Sequence, residues 1–161
     1  MLFLDTSGFY ALLVRGDDQH NRAQQAMRKA ATRKQRFATT DCVLDEAATL
    51  LMDRGFSTAI PPLFHSVTAS KACRVVWMDM ERFEGTKRLF IKNIDRLWSF
   101  TDCFSFILMK ELRINEALSK DYSFQSRRVH STACLMPRHP ELHEITLVQK
   151  MLDGENIGCP S

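Results

Sequence analysis

The chain begins with a short apolar run that stops at an acid, and this feature limits the possible fold more than any other. Residues 2–4 are Leu-Phe-Leu, Asp5 follows, and the hydroxyl residues Thr6 and Ser7 come next. An apolar run bounded by helix-start residues predicts a buried strand that ends at Asp5. Thr6 or Ser7 is then expected to cap a helix with an apolar body over residues 9–14. Asp5 would lie at the carboxyl end of a central strand, where open α/β sheets bind ligands, unless it serves only as an N-cap.

Length, composition and cysteine usage indicate one soluble globular domain. The 161 residues are 45% hydrophobic and 25% charged, which are ordinary values for such a domain. No apolar run approaches the ~20 residues of a membrane span, and the N-terminus lacks the basic region of a secretory signal. Five cysteines, an odd number without Cys-x-x-Cys spacing, argue against a disulfide framework. A reducing cytoplasm is the expected compartment.

The formal net charge of +3 permits a nucleic-acid partner without requiring one. Basic residues are concentrated in two places, over residues 28–36 and over residues 82–96. Each concentration can be a track for phosphate groups or simply a solvated helix face.

Strand and helix patterns alternate along the chain. Strands are predicted at residues 1–5, 36–40, 73–78 and 115–120, and helices at 6–14, 17–34, 41–54, 57–72, 80–93 and 101–113. This alternation predicts a parallel sheet with helices on both faces.

Three further acids occupy positions that this fold brings near Asp5. Glu46 follows Val43 by three residues, so it is expected on the buried stripe of its helix, where an ion pair with an arginine is the alternative explanation. Asp102 starts an apolar helix, where capping alone could explain it. Asp121 follows the last predicted strand.

Four carboxylates within about 5 Å of one another would need a counter-charge. Each pair repels by roughly 3 kcal/mol at an effective dielectric of 20. Six pairs would exceed the free energy of unfolding of a typical domain. Either some of the acids are protonated or a divalent cation lies among them, and oxygen ligands suit Mg²⁺ or Mn²⁺ better than zinc.

Four motifs carry a family resemblance. They are Leu4-Asp5-Thr6-Ser7, Thr40-Asp41-x-Val43-Leu44-x-Glu46, Ser99-Phe100-Thr101-Asp102-Cys103 and Ala117-Leu118-x-x-Asp121-x-x-Phe124. In this order they resemble the acidic motifs of PIN-domain ribonucleases, and most closely those of the VapC-type toxins of prokaryotic toxin–antitoxin pairs. Each motif alone is weak, but the order and spacing of all four are specific. The resemblance covers residues 1–124.

The resemblance implies a PIN-like three-layer α/β/α sandwich around a short central parallel sheet. The acidic quartet would be Asp5, Glu46, Asp102 and Asp121, with Asp5 and Asp102 as direct metal ligands. Thr6 and Thr101 would orient these carboxylates.

The implied activity is hydrolysis of RNA phosphodiester bonds with Mg²⁺ or Mn²⁺, through one ion or two. Glu46 or Asp121 would position or deprotonate the attacking water. RNA as substrate, a cognate antitoxin protein and a second copy of the chain in a homodimer are the implied partners.

The resemblance ends at residue 124. Residues 125–161, which are rich in His, Cys and Pro, are therefore expected to form an atypical C-terminal tail that is loosely docked or partly disordered. Two other functions remain open. One is a catalytically silent PIN-like module that binds RNA or protein. The other is a phosphatase with Asp5 as nucleophile, although Ser7 stands where that chemistry usually has a second acid.

Overall fold

The computed structural model describes residues 1–120 and the backbone of residues 130–131. The strands are β1 (Leu2–Leu4), β2 (Phe37–Thr40), β3 (Cys73–Val76), β4 (Glu116–Leu118) and β5 (His130–Ser131). The helices are α1 (Thr6–Leu13), α2 (His20–Thr32), α3 (Asp41–Asp53), α4 (Ile60–Ala69), α5 (Met80–Lys92) and α6 (Phe100–Glu111). Short 3-10 turns lie at Ser57–Ala59 and Ile94–Arg96. The predicted order of elements is confirmed, although the helix expected over residues 57–72 begins as a 3-10 turn and ends at Ala69.

All strand pairs are parallel, and the strand order is β3-β2-β1-β4-β5. The central strand is β1, where Phe3 pairs with Ala38 of β2 and with Ala117 of β4. Because β1 has neighbours on both sides, all three of its residues are buried. The apolar run before Asp5 therefore forms the central strand that the sequence predicts.

Strand β5 lies within the segment that the sequence assigns to an atypical tail. It pairs with β4 through His130 and Ser131, which supplies the edge strand. The other residues of 125–161 lie outside the described part, so the boundary at residue 124 and the loose docking of the tail stay predictions.

The strand order places the helices on both faces of the sheet. The chain passes from β1 through β2 to β3 in one direction and then crosses back to β4 on the far side of β1. Connections between parallel strands are right-handed, so helices α1–α4 cover one face and α5–α6 the other. Contacts of α1 with α2 and α3, and of α5 with α6, agree with this division. The three-layer α/β/α sandwich is confirmed.

Helix α5 buries less apolar surface than its sequence predicts. Phe83 is 42% exposed, and Ile94, in the 3-10 turn that follows α5, is 60% exposed. The reason is that α5 packs mainly along α6, so that the rings of Phe83 and Phe90 lie 5.5 and 5.8 Å from the ring of Phe100. Within the described residues, no helix is both long and apolar enough to cross a membrane.

Candidate active site

Asp5 lies where β1 ends and α1 begins, at the carboxyl edge of the sheet. Only 3% of its surface is exposed. Its backbone N–H donates to the carbonyl oxygen of Leu118 at the end of β4 (3.2 Å). Asp5 occupies the N-cap position of α1, but its side chain makes no capping hydrogen bond. Capping therefore accounts for the backbone of Asp5 and leaves its buried carboxylate unexplained.

Two serine hydroxyls hold the Asp5 carboxylate. Ser7 Oγ and Ser119 Oγ both donate to Asp5 Oδ2, over 3.0 and 2.9 Å. The backbone N–H of Lys120 in turn donates to Ser7 Oγ (2.8 Å). These bonds tie the end of β4 to the end of β1 and fix the orientation of the carboxylate.

Ser119 is a site residue that was not predicted from the sequence. Ser119 directly follows β4 and precedes Asp121 by two residues, so its position inside the fourth motif could have identified it as a site residue. Thr6 and Ser7 were expected to cap α1. Instead they lie in its first turn, and both hydroxyls bind acidic side chains.

Glu46 does not lie on the buried stripe of α3, which corrects the prediction. Its side chain is exposed, whereas Val43, Ala47 and Leu51 are buried. A residue one position before Ala47 is rotated about 100° from it, which puts Glu46 on the flank of the stripe. Thr6 Oγ1 donates to Glu46 Oε2 (2.9 Å), so the side chain reaches the first turn of α1 beside Asp5. Among the described residues Glu46 makes no ion pair, so no arginine within residues 1–120 explains its position.

Asp102 lies in the first turn of α6 and takes part in its capping. Ser99 Oγ accepts from the Asp102 N–H (2.9 Å), and Asp102 Oδ2 accepts from the Ser99 N–H (2.8 Å). This capping box uses one oxygen, and Oδ1 makes no hydrogen bond within the described residues. Thr101, expected to orient the acids, is half-buried and likewise makes no side-chain hydrogen bond within residues 1–120.

The topology places Asp102 at the same edge of the sheet as Asp5. Helix α6 leads into β4, so its last turn lies near the beginning of that strand. Its twelve residues then carry its first turn about 18 Å back toward the edge where the strands end.

Asp121, the fourth predicted acid, lies outside the described residues. The residue before it is firmly held, because Lys120 Nζ forms an ion pair with Asp17 Oδ2. The side chain of Asp17 is fully buried and that of Lys120 is 20% exposed. Lys120 Nζ also lies 5.9 Å from the centre of the Tyr10 ring. This pair fastens the end of β4 to the turn between α1 and α2.

Within the described residues, no three His, Cys, Asp or Glu side chains lie close enough together to hold a metal ion. The edge nevertheless carries further negative charge. Burial, with Asp41 and Asp45 adding to it, raises the pKa of the Cys42 thiol to about 11. Asp41 accepts from the Met78 N–H through both carboxylate oxygens (3.1 Å each), which joins α3 to the end of β3. The carboxyl edge of the sheet therefore carries acidic residues of more than one element, which include Asp5 before α1 and Asp41 and Glu46 of α3.

The chain is similar to known proteins in both sequence and structure. The chain is 30% identical over 127 residues to the 23S rRNA-specific endonuclease VapC20 of Mycobacterium tuberculosis, in both strain CDC 1551 / Oshkosh and strain H37Rv. The match covers 78% of this chain and 93% of the relative. No protein-family model matches the sequence.

The fold is also similar to a solved structure. The crystal structure of Mycobacterium tuberculosis VapC20, described as a sarcin-ricin loop cleaving toxin, superposes with a TM-score of 0.71 at 26% identity. The superposition covers 81% of this chain and 97% of the solved chain.

Proposed function

Because the chain belongs to the VapC family of PIN-domain ribonucleases, we propose that it is an endoribonuclease that uses a divalent metal ion to hydrolyse RNA phosphodiester bonds. The observation that carries the proposal is the buried Asp5 carboxylate, held by two serine hydroxyls where the parallel strands end. Open α/β sheets bind their ligands at this edge. A carboxylate oriented there is a suitable ligand for a hard divalent cation.

We assign Asp5 and Asp102 as direct ligands of Mg²⁺ or Mn²⁺, with Glu46 and Asp121 completing the quartet. The donors fit such an ion, because all are carboxylate oxygens. Asp102 Oδ1 and Glu46 Oε1 make no hydrogen bond to any described residue, so each side chain can offer an oxygen. A titration of the protein with Mn²⁺ would measure whether one ion or two are bound.

When bound, the ion would polarise the phosphoryl oxygens and lower the pKa of a bound water. The residues of the chain supply position and proton transfer. Ser7 and Ser119 hold the Asp5 carboxylate, and Thr6 directs Glu46 toward the first turn of α1. Glu46 or Asp121 would accept the proton of the attacking water.

Ribosomal RNA is the substrate class that we propose, because the relative is a 23S rRNA-specific endonuclease. We further propose that the chain is the toxin of a toxin–antitoxin pair, that a cognate antitoxin inhibits it and that it forms a homodimer. Among the described cysteines, Cys42 and Cys73 are free thiols, which supports a reducing cytoplasm as the compartment of the protein.

The test compares RNA cleavage by the wild type, Asp5→Asn and Asp102→Asn with Mg²⁺, with Mn²⁺ and with EDTA. We expect metal-dependent cleavage that each substitution lowers by at least ~100-fold, since loss of a ligand should exceed the effect of disturbing its outer partners. Asp53→Asn, at the exposed end of α3, is the matched control and should cleave like the wild type.

Calorimetric titration with Mn²⁺ provides a second readout that does not depend on turnover. Equal cleavage by Asp5→Asn and the wild type would refute the assignment. RNA binding without cleavage by the wild type would instead support the silent binding module, a function that the similarity to a known endonuclease disfavours.

A further inference from the structure

The amino edge of the sheet, opposite Asp5, carries an open basic hollow. Its volume is about 470 Å³, and it is lined by Met1, Arg33, Lys34, Gln35, Arg36 and Glu116. A second cavity of about 170 Å³ shares some of this lining and adds Lys29. The hollow thus presents three cationic side chains and one acid, and Arg33, Lys34 and Arg36 are all exposed.

The three cations of the hollow are not neutralised by neighbouring acids. None of Arg33, Lys34 and Arg36 makes an ion pair with a residue of the described chain. Glu116, the acid of the hollow, accepts instead from the side-chain amide of Gln35 (3.0 Å). The hollow therefore keeps a positive field that an external anion can meet.

The second basic concentration of the chain, over residues 82–96, differs in part, because two of its five cations have acidic partners. Arg82 pairs with Asp79 and Glu111, and Lys87 pairs with Glu84. Internal pairing of this kind is what a solvated helix face shows. The phosphate-binding interpretation therefore applies to the hollow better than to α5.

Lys34 has a backbone conformation that normally favours glycine. It follows the end of α2 with φ at 50° and donates its N–H to Ala31 O (2.9 Å). At the end of α3 the corresponding position is Gly55, with φ at 80° and an N–H bond to Met52 O (3.0 Å). A lysine in the left-handed region is strained, whereas glycine is not. Lys34 therefore places a cation in the hollow at a position where glycine would be less strained, and Arg113 has the same conformation (φ at 53°) after α6.

We propose that this basic hollow (Arg33, Lys34 and Arg36) binds backbone phosphates of the RNA outside the segment that is cut, an inference that rests on the proposed ribonuclease function. Guanidinium and ammonium groups are the side chains that bind phosphate. Strand β2 separates the hollow from the acidic edge by about 13 Å over its four residues. At about 3.4 Å per nucleotide along a helical strand, this distance corresponds to about four nucleotides.

The test measures RNA binding by fluorescence anisotropy in the Asp5→Asn background, so that the RNA stays intact. The triple variant Arg33→Gln/Lys34→Gln/Arg36→Gln is compared with Lys87→Gln/Arg88→Gln/Lys92→Gln, which removes the same charge from α5. For a structured RNA of ~30 nucleotides, the first variant should raise Kd ~10-fold or more and reduce the salt slope by about 2. The second should change Kd by less than ~3-fold.

Two further measurements separate binding from folding and from catalysis. Lys34→Gly should weaken binding of the long RNA by ~3-fold while raising the denaturation midpoint, so unfolding cannot explain its loss of affinity. With Asp5 intact, the hollow variant should cleave a tetranucleotide as fast as the wild type, because that probe is too short to reach the hollow.

If both triple variants weakened RNA binding equally, the loss of affinity would depend on net charge alone, and the inference would be overturned. An unchanged affinity in the hollow variant would also overturn it, while metal-dependent cleavage by the wild type would leave the proposed function standing. Failure of the wild type to bind or cleave any RNA would refute both.

Discussion

Replacing Gly8 by alanine should show how closely α1 approaches the end of β4. A Cβ atom at Gly8 would lie 2.2 Å from the carbonyl oxygen of Leu118, 3.0 Å from its carbonyl carbon and 3.2 Å from its Cγ. Two of these atoms belong to the backbone, so no rotamer change can relieve the contact. Strand β4 must move by about 1 Å to restore an ordinary distance.

The magnitude follows from opposing terms. Alanine is preferred over glycine inside a helix by up to about 1 kcal/mol. Overpacking of this kind costs about 1–3 kcal/mol. The same movement weakens the hydrogen bond from the Asp5 N–H to Leu118 O, which contributes about 1 kcal/mol. We therefore expect Gly8→Ala to lower the free energy of unfolding by about 1–3 kcal/mol.

Gly85→Ala in α5 is the matched control. Its Cβ would lie 3.7 Å from Ile107 Cδ1 and 4.0 Å from Arg88 Nη2, which are ordinary contacts. Only the preference for alanine over glycine inside a helix then applies, so Gly85→Ala should raise the free energy of unfolding by about 0.5–1 kcal/mol.

Urea denaturation followed by circular dichroism measures both variants against the wild type. The two substitutions should act with opposite signs and leave the m-value unchanged. Since moving β4 also shifts Ser119 away from Asp5, Gly8→Ala should in addition weaken Mn²⁺ binding. A Gly8→Ala protein as stable as Gly85→Ala would refute the close approach of α1 to β4.

Two other predictions concern buried ionisable groups. Lys120→Met leaves the fully buried Asp17 carboxylate without its cation, which should lower the free energy of unfolding by about 3 kcal/mol in urea denaturation. Adding Asp17→Asn to this variant should recover part of the loss. If the effects of the two substitutions on the free energy of unfolding simply added, the pairing would be contradicted. Burial raises the pKa of the half-buried Cys73 thiol to about 12, so at pH 8 little of it is thiolate, and alkylation by iodoacetamide should be slow and rise with pH. Peptide mapping after alkylation measures this at Cys73, and rapid labelling at pH 8 would count against the burial.

The order of strands and helices could be predicted from local sequence. Residues 2–4 are apolar and are followed by Asp5, and this pattern identifies a buried strand regardless of its partners. Likewise Thr40, which accepts from the Val43 N–H (3.0 Å), caps α3 as its residue type predicts. Such features depend on residues within a few positions of one another, so the sequence contains the necessary information.

The partners of the acidic side chains could not be predicted in the same way. Glu46 was expected on a buried stripe, but it is exposed and accepts from Thr6, 40 positions earlier. Ser119 reaches Asp5 across 114 positions. A helical wheel describes which face a residue occupies, and it says nothing about how far a long side chain extends along a neighbouring helix.

The sequence by itself determined which acids the chain carries, their order, and the parallel sheet at whose carboxyl edge Asp5 lies. Only the tertiary structure decided which hydroxyl binds which carboxylate. It also decided that Lys34 and its basic neighbours line a hollow at the opposite edge without ion-pair partners among the described residues. The physical reason is that periodicity and capping are short-range properties of the backbone. Hydrogen bonds and charge pairing between distant segments depend on a few ångströms of packing that no local pattern specifies.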